Sequence, residues 1–271
     1  KMSLSILINE YNEKYGLNNK LINSIPNDLT NKCVHENTKI LTYQGYKKIK
    51  EFNGKLVSVW NGQEWSPSRI SKVGESQELM EVITSDGVYL KCTQYHKFVL
   101  NTGKVVEAQH LKIGDTLMQC PLWPMIDGLE NVTEEKVPIN ASIHNKRRWL
   151  ANYIDTHKST DSTLTDLVLE CQSNKIAEDI KYLCNTIGCS PSVYWDEWTS
   201  QVIFSPKDEH YLFRIMRLPS KYRNMETGIS HNVKPVITIE ALETVDGKHD
   251  IYSVDEPLRH MCVFNGIYTK N

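Results

Sequence analysis

The sequence predicts a mainly β domain that an α+β insert divides into two parts. Short apolar runs separated by glycine-containing turns fill residues 33–122 and return after residue 233, whereas residues 140–225 carry helical spacing. Strands about 8–12 residues apart, joined by Asn-Gly and Asp-Gly turns, are typical of all-β units. Because the β pattern stops and then resumes, we expect its two parts to form one discontinuous domain.

Composition is that of an ordinary globular protein. Of 271 residues, 40% are hydrophobic and 24% are charged. The net charge of −2 gives no general attraction to nucleic acids or membranes. No apolar run reaches the roughly 18 residues of a membrane span, and no signal peptide is evident. We therefore expect a cytoplasmic protein without membrane contact, and the bias toward Asn, Lys and Ile suggests a phage, viral or microbial host cell.

The cysteines argue against two kinds of site. There are seven of them, an odd number with no CxxC pair. This pattern disfavours both a disulfide framework and a zinc site. We expect most of them to be small core residues, and no metal or other cofactor.

The elements follow from the local patterns in chain order. Residues 1–32 read as a short helix over 4–11 and a polar flank. The first β part has apolar runs at 39–42, 56–60, 79–84, 88–92 and 98–100. In the insert, helical spacing predicts helices over 147–156, 173–187 and 207–218, and strands over 167–169, 191–195 and 201–204. Near the end, Asn265-Gly266 between two apolar runs predicts a hairpin.

The final residue suggests a chemical event. The side-chain amide of Asn271 can attack its own backbone carbonyl, which closes a succinimide and cuts the following peptide bond. We therefore expect the chain to be the product, or the trimmed precursor, of such a cleavage.

Three motifs support this reading when taken together and in order. The first is CVHENTKI, beginning at Cys33. The second is DGVYLKCTQYH, which ends with Thr93 and His96. The third comprises Ile251-Tyr252, His260, Asn265-Gly266 and Asn271. Jointly they resemble the inteins, self-splicing proteins of the Hint fold.

The resemblance implies a domain plan. Residues 1–32 correspond to a retained N-extein, and the scissile bond is Lys32–Cys33. Residues 33–125 and 233–271 correspond to a discontinuous Hint splicing domain, a flattened β horseshoe. Residues 138–228 form the insert.

It also implies residue roles. Cys33 attacks the Lys32 carbonyl to form a thioester, His96 protonates the departing nitrogen, and Thr93 holds the strained peptide. A Cys, Ser or Thr after the chain then takes the acyl group, and Asn271 cyclises with help from His260. The activity is a single-turnover autocatalysis, without a cofactor, in a monomer whose partners are its exteins in cis.

The sequence departs from the family at two positions. Lys270 stands where the family usually has His, and a lysine, with a pKa near 10.4, does not readily shuttle protons at neutral pH. His260 then carries more of the activation, or the C-terminal step is slow. Ser253 stands where the family often has Asp. Asp255 shares its strand face and is a possible substitute.

A second resemblance lies in the insert. Residues 150–159, LANYIDTHKS, resemble the LAGLIDADG helix of homing endonucleases, and an αββαββα order resembles one half-domain of that family. His157 replaces the metal-binding acid and Lys158 the small glycine, which implies a decayed endonuclease. Two alternatives are a plain amphipathic helix and a dimerising or DNA-binding remnant. The basic run Lys146-Arg147-Arg148 either contacts phosphates or starts the helix in solvent.

Two other functions remain open. One is a homing endonuclease or DNA-binding protein that acts through the insert, although the missing acid at His157 and the net charge weigh against cleavage. The other is a Hint domain that cleaves or ligates without splicing.

Overall fold

A computed structural model describes residues 32–133, 136–160, 166–221 and 236–271. The fold is mainly β, with one large antiparallel sheet and few helices. The helix predicted over 4–11, and nearly all of the predicted flank, lie outside the described residues. In the part of the chain that is described, no helix combines the length and apolarity needed to cross a bilayer.

The first β part contributes eight strands to the large sheet. They are β1 (Val34–His35), β2 (Lys39–Thr42), β3 (Gly45–Lys48), β4 (Leu56–Trp60), β5 (Trp65–Thr84), β6 (Tyr89–Cys92), β7 (Lys97–Val99) and β8 (Val105–Glu107). Single turns of 3-10 helix follow β3 at Ile49–Phe52 and β8 at Ala108–His110. Strand β5 is much longer than the run predicted over 79–84, because its residues 65–69 pair with β4 and its residues 69–84 pair with a second long strand from the end of the chain.

The insert contains three helical segments and a separate three-stranded sheet. They are α1 (Ile143–His157), β9 (Leu167–Glu170), α2 (Asn174–Asn185), β10 (Ser192–Trp195), β11 (Ser200–Phe204) and α3 (Pro206–His210). The antiparallel strand order is β10-β11-β9. Ser142, Ser173 and Ser205 each accept a hydrogen bond from a backbone N–H at the start of one helix, which explains where the helices begin.

Two details of the insert differ from the prediction. Between α1 and α2 the described residues contain one strand, β9, which the apolar run at 167–169 predicts, whereas the αββαββα order of the endonuclease resemblance has two; residues 161–165 lie outside the described part. The helix predicted over 207–218 ends at His210 and continues as a π turn, Tyr211–Ile215. It cannot extend further because Arg217 has a φ of 51° and Pro219 restricts the residue before it.

The chain then returns to the large sheet with β12 (Ile239–Asp255), β13 (Met261–Phe264) and β14 (Ile267–Lys270). The order along this sheet is β12-β1-β6-β5-β4-β2-β13-β14-β7-β8, with β3 beside β2 and β12 also paired with β5. Strands from both sides of the insert therefore share one sheet, with β13 and β14 between β2 and β7. Asn265 and Gly266 have φ values of 49° and 82°, as a two-residue hairpin turn with the right twist requires, which confirms the predicted hairpin.

Two large apolar cores stabilise this arrangement, beside a small cluster around Cys33. One lies within the large sheet and contains Ile40, Leu90, Phe98 and Phe264. The other is shared, because side chains of the insert such as Leu150 and Leu183 belong to the same cluster as Trp60, Val263 and Tyr268 of the large sheet. The insert is therefore packed into the β region rather than tethered to it.

Candidate active site

Cys33 immediately precedes β1 of the large sheet. Its side chain is fully buried and packs against Leu79 and Ile251. Thr93 lies beside its backbone: the Cys33 N–H donates to Thr93 Oγ1 at 3.3 Å, and the Thr93 N–H donates to the Cys33 carbonyl at 2.9 Å. The Lys32–Cys33 peptide nitrogen is thus held by the threonine that the motif singled out.

Burial controls the reactivity of the Cys33 thiol. It raises the pKa to about 12, although a hydrogen bond to the Lys32 backbone lowers it somewhat. Because the thiolate is the nucleophilic form, the resting thiol is a poor nucleophile. Attack on the preceding carbonyl therefore requires removal of its proton as the reaction proceeds.

His96 interacts with the backbone of Lys32, the residue before Cys33. The ring is fully buried, its Nε2 lies 3.1 Å from Thr269 Oγ1, and it contacts Phe98 and Phe264 edge-on. Burial lowers the pKa of His96 to about 3, although the contact with the Lys32 backbone acts in the opposite direction. The Nδ1 atom is buried and has no hydrogen-bond partner among the described residues. Burial therefore favours the neutral form of the ring, beside the Lys32 backbone.

This burial should make the folded protein sensitive to acid. The pKa of His96 is about 3 in the folded chain against an ordinary value of 6.5, so between these values the unfolded chain binds the extra proton. The free energy of unfolding should therefore fall as pH decreases below about 6.5, by about 1.4 kcal/mol per pH unit from this residue. Urea denaturation between about pH 5 and pH 7 should show a weaker pH dependence for His96→Gln.

The exposed His110 supplies a matched control for that measurement. His110→Gln should keep the pH dependence of the original chain. If His96→Gln also keeps it, the ring is not the buried, neutral group described above.

The other predicted residues gather around the end of β14. The Asn271 N–H donates to the His260 carbonyl at 2.8 Å. The His260 side chain is exposed, and its φ of 56° turns the chain into β13. Lys270 is half-buried and lies opposite both Met261 and Lys97. The contact of His260 with Asn271 is thus made by its backbone, whereas the motif had suggested its imidazole.

These two groups of residues are connected through one side chain that sequence reasoning missed. Thr269 is fully buried, two residues before Asn271, and its hydroxyl contacts His96. The hairpin register pairs it with Cys262, and β7 pairs it with Phe98. The predicted turn at 265–266 would have given its register on β13, but the contact with His96 depends on the pairing of β14 with β7.

The insert residues have structural partners. Asp155 accepts hydrogen bonds from Ser220 Oγ at 2.6 Å and the Lys221 N–H at 2.9 Å. His157 stacks on Tyr153, with ring centroids 3.9 Å apart. In the described ranges, no group of three or more His, Cys, Asp or Glu side chains is arranged to hold a metal ion.

The basic run at the start of α1 is not a uniformly solvated face. Lys146 is fully buried and donates to the Ile126 carbonyl at 2.7 Å and to Thr186 Oγ1 at 2.9 Å. Arg147 donates to the Arg217 carbonyl at 2.7 Å, and Arg148 is exposed. The expectation of a solvated or phosphate-binding run is therefore wrong for Lys146, since its ammonium group reaches inward to cap carbonyl and hydroxyl oxygens.

No family model matches the chain. A match of 42% identity over 86 residues covers 32% of this chain and 9% of the ribonucleoside-diphosphate reductase large subunit of Invertebrate iridescent virus 6.

Solved structures similar to the chain include the DnaX mini intein from Spirulina platensis, with 12% identity, coverage of 89% of this chain and 100% of that chain, and a TM-score of 0.39. They also include the bacterial intein-like domain from Clostridium thermocellum, with 14% identity, coverage of 89% and 99%, and a TM-score of 0.38. TM-scores this low do not establish a common fold.

Proposed function

We propose that this chain is an intein, which excises itself and joins its flanks by protein splicing. The observation that carries the proposal is the arrangement around the Lys32–Cys33 bond. A buried thiol, a threonine on the peptide nitrogen and a buried histidine against the Lys32 backbone converge there, and these are the three residue types that the motifs selected. A packing role alone does not require a buried imidazole beside a peptide bond.

In the first step, Cys33 Sγ attacks the Lys32 carbonyl carbon. The S–H bond and the Lys32–Cys33 C–N bond break, a thioester forms, and the Cys33 nitrogen becomes an amine. The net proton transfer runs from sulfur to nitrogen. Burial lowers the pKa of His96, so the protonated ring forms only transiently, and we assign to His96 the transfer of that proton to the departing nitrogen. Thr93 keeps that nitrogen in place.

The later steps involve Asn271. A Cys, Ser or Thr following Asn271 takes the acyl group from the thioester, and the Asn271 amide nitrogen then attacks the Asn271 carbonyl to release the downstream segment. The His260 carbonyl fixes the Asn271 backbone for this attack. Lys270, on the preceding residue, stands in place of the histidine usual in the family, and we assign it a supporting contact rather than proton transfer.

We infer that the host protein is a ribonucleotide reductase large subunit. The match to the viral reductase covers 86 residues, which is longer than the flank 1–32, so it includes residues of the splicing domain or the insert. A reductase that shares such residues would itself carry a related segment within its chain. The domain limits 33–125, 138–228 and 233–271, a monomeric state and a cytoplasmic location complete the proposal.

We further propose that the insert is a degenerate endonuclease half-domain without cleavage activity. The involvement of Asp155 in hydrogen bonds to Ser220 and Lys221, and the stacking of His157 on Tyr153, leave both side chains in structural roles. The buried Lys146 weakens the case for DNA binding through this helix.

The intact mass of a fusion tests the proposed function. The chain is extended after Asn271 by a short segment beginning with Cys, and its mass is measured before and after mild incubation. We expect loss of both flanks and a new peptide in which they are joined. An Asn271→Ala control should retain the downstream segment while still cleaving at Lys32–Cys33 with added thiol. Cleavage without joining would favour the non-splicing Hint alternative, and an unchanged mass would contradict both.

A further inference from the structure

Thr269 connects the two ends of the proposed reaction. Its hydroxyl and the His96 Nε2 are 3.1 Å apart, and both side chains are fully buried. Its backbone is fixed on both sides, by Cys262 on β13 and Phe98 on β7. The position of the hydroxyl is therefore set by the sheet and not by a flexible side chain.

The hydroxyl has few choices of partner. In the part of the chain that the structure describes, the contact with His96 is the one hydrogen bond made by Thr269 Oγ1. A buried hydroxyl hydrogen without an acceptor is costly, so donation to Nε2 is favoured. A neutral imidazole with an acceptor at Nε2 carries its proton on Nδ1.

The surroundings of Nδ1 agree with that tautomer. This atom is buried and has no hydrogen-bond partner among the described residues, so no donor there holds Nδ1 as an acceptor with the proton on Nε2. The nearby Lys32 backbone acts on the ring in the direction expected of a carbonyl acceptor, favouring the protonated form. Because Nε2 contacts Thr269, we assign the interaction with the Lys32 backbone, the group whose peptide bond is broken, to Nδ1.

We propose that Thr269 is a positioning residue, which holds the proton of His96 on Nδ1 so that it faces the Lys32–Cys33 bond. The inference rests on the proposed splicing function. Because a hydroxyl both donates and accepts, Thr269 stays bonded to Nε2 in both states: it donates to the neutral ring, and it accepts from Nε2–H once a proton from solvent has been added there. Nδ1–H then passes to the departing nitrogen and the Cys33 thiol proton returns to solvent, so the net transfer remains from sulfur to nitrogen. The histidine ring therefore keeps one orientation through the proton transfer. The residue that fixes this orientation, Thr269, lies on the strand that leads to Asn271.

Nitrogen NMR of His96 tests the tautomer directly in the full chain. We expect the neutral ring to show a protonated Nδ1 and an unprotonated Nε2 in the original chain, and to lose that preference in Thr269→Val. A protonated Nε2 in the original chain would overturn the proposal, whether or not the protein splices. Valine suits a strand and matches threonine in shape, so the sheet should be retained.

Thiol-induced cleavage at Lys32–Cys33 tests the consequence, with Asn271→Ala present throughout to block the C-terminal step. We expect Thr269→Val to cleave about 10- to 100-fold more slowly, as when groups that orient metal-bound histidines are removed, with an altered pH–rate profile. Thr269→Ser keeps the hydroxyl and should restore both.

The outcomes separate two kinds of failure. Cleavage by Thr269→Val at the original rate and pH profile, or equal losses in the Val and Ser variants with an unchanged profile, would overturn the role of Thr269 while leaving splicing intact. Absence of thiol-induced cleavage in the chain with Thr269 present would instead contradict the proposed function, and the NMR measurement would still decide the tautomer.

Discussion

Replacing Cys33 with Ala is expected to abolish thiol-induced cleavage at Lys32–Cys33. The proposed first step needs a sulfur atom one residue after the scissile carbonyl, and no other cysteine can form the same five-membered intermediate. Without it, the peptide bond is left to uncatalysed hydrolysis, so the expected effect is complete loss on the time scale of an assay. Gel analysis and intact mass after incubation with a thiol would measure it.

Two companions make that experiment specific. Cys33→Ser should still undergo the acyl shift, more slowly, because an alcohol is a weaker nucleophile than a thiol. Cys171→Ala changes a half-buried cysteine of the insert and should cleave like the original chain. If Cys33→Ala still releases the flank at the original rate, the cleavage does not pass through a Cys33 thioester and the proposed mechanism fails.

Much of the architecture was accessible from local patterns. The Asn265-Gly266 turn, the return to β structure after the insert and the first two helices of the insert appear as predicted, because each depends on residues close in sequence. The helix boundaries moved by a few residues where Ser142 and Ser173 provide caps. The third helix was predicted too long, because apolar spacing does not show where a left-handed residue such as Arg217 ends it.

The contacts that decide reactivity and packing were not accessible in the same way. Nothing in the local sequence pairs Thr269 with His96, since 173 residues separate them. Similarly, Lys146 belongs to a run of three basic residues, a pattern typical of a solvated helix start, but its side chain is buried in the core. Such contacts follow from how distant strands and helices pack, and composition near each residue does not show them.

A buried ion pair joins the insert to the large sheet. Lys181 Nζ on α2 lies 2.7 Å from Asp86 Oδ2 and 2.8 Å from the Pro191 carbonyl, with the Lys181 side chain fully buried. Asp86, in the turn after β5, also accepts from Thr84 Oγ1 at 2.6 Å. The Lys181 ammonium group and the Asp86 carboxylate thus neutralise each other, and both form further hydrogen bonds within the protein.

Lys181→Met should lower the free energy of unfolding by about 3–5 kcal/mol, because it leaves the Asp86 carboxylate buried without its counter-charge. Urea denaturation would measure the loss. Lys175→Met is the matched control on the same helix: Lys175 pairs with Asp179, but its own side chain is 67% exposed, so we expect a change of about 0–1 kcal/mol. The double variant Lys181→Met with Asp86→Asn should recover part of the loss, since no unpaired charge remains.

The same denaturation experiment decides whether the insert folds independently of the large sheet. Lys181 and Asn185 lie against the Gly266 turn, where an added Cβ would come within 3.5 Å of Lys181 Cε and 3.3 Å of Asn185 Oδ1, so α2 supports the hairpin that leads to Asn271. The shared core and this pair predict a single unfolding transition in which both regions are lost together. Two transitions, with the Lys181→Met effect confined to one, would mean that the insert folds independently. In that case deletion of the insert should leave the large sheet folded.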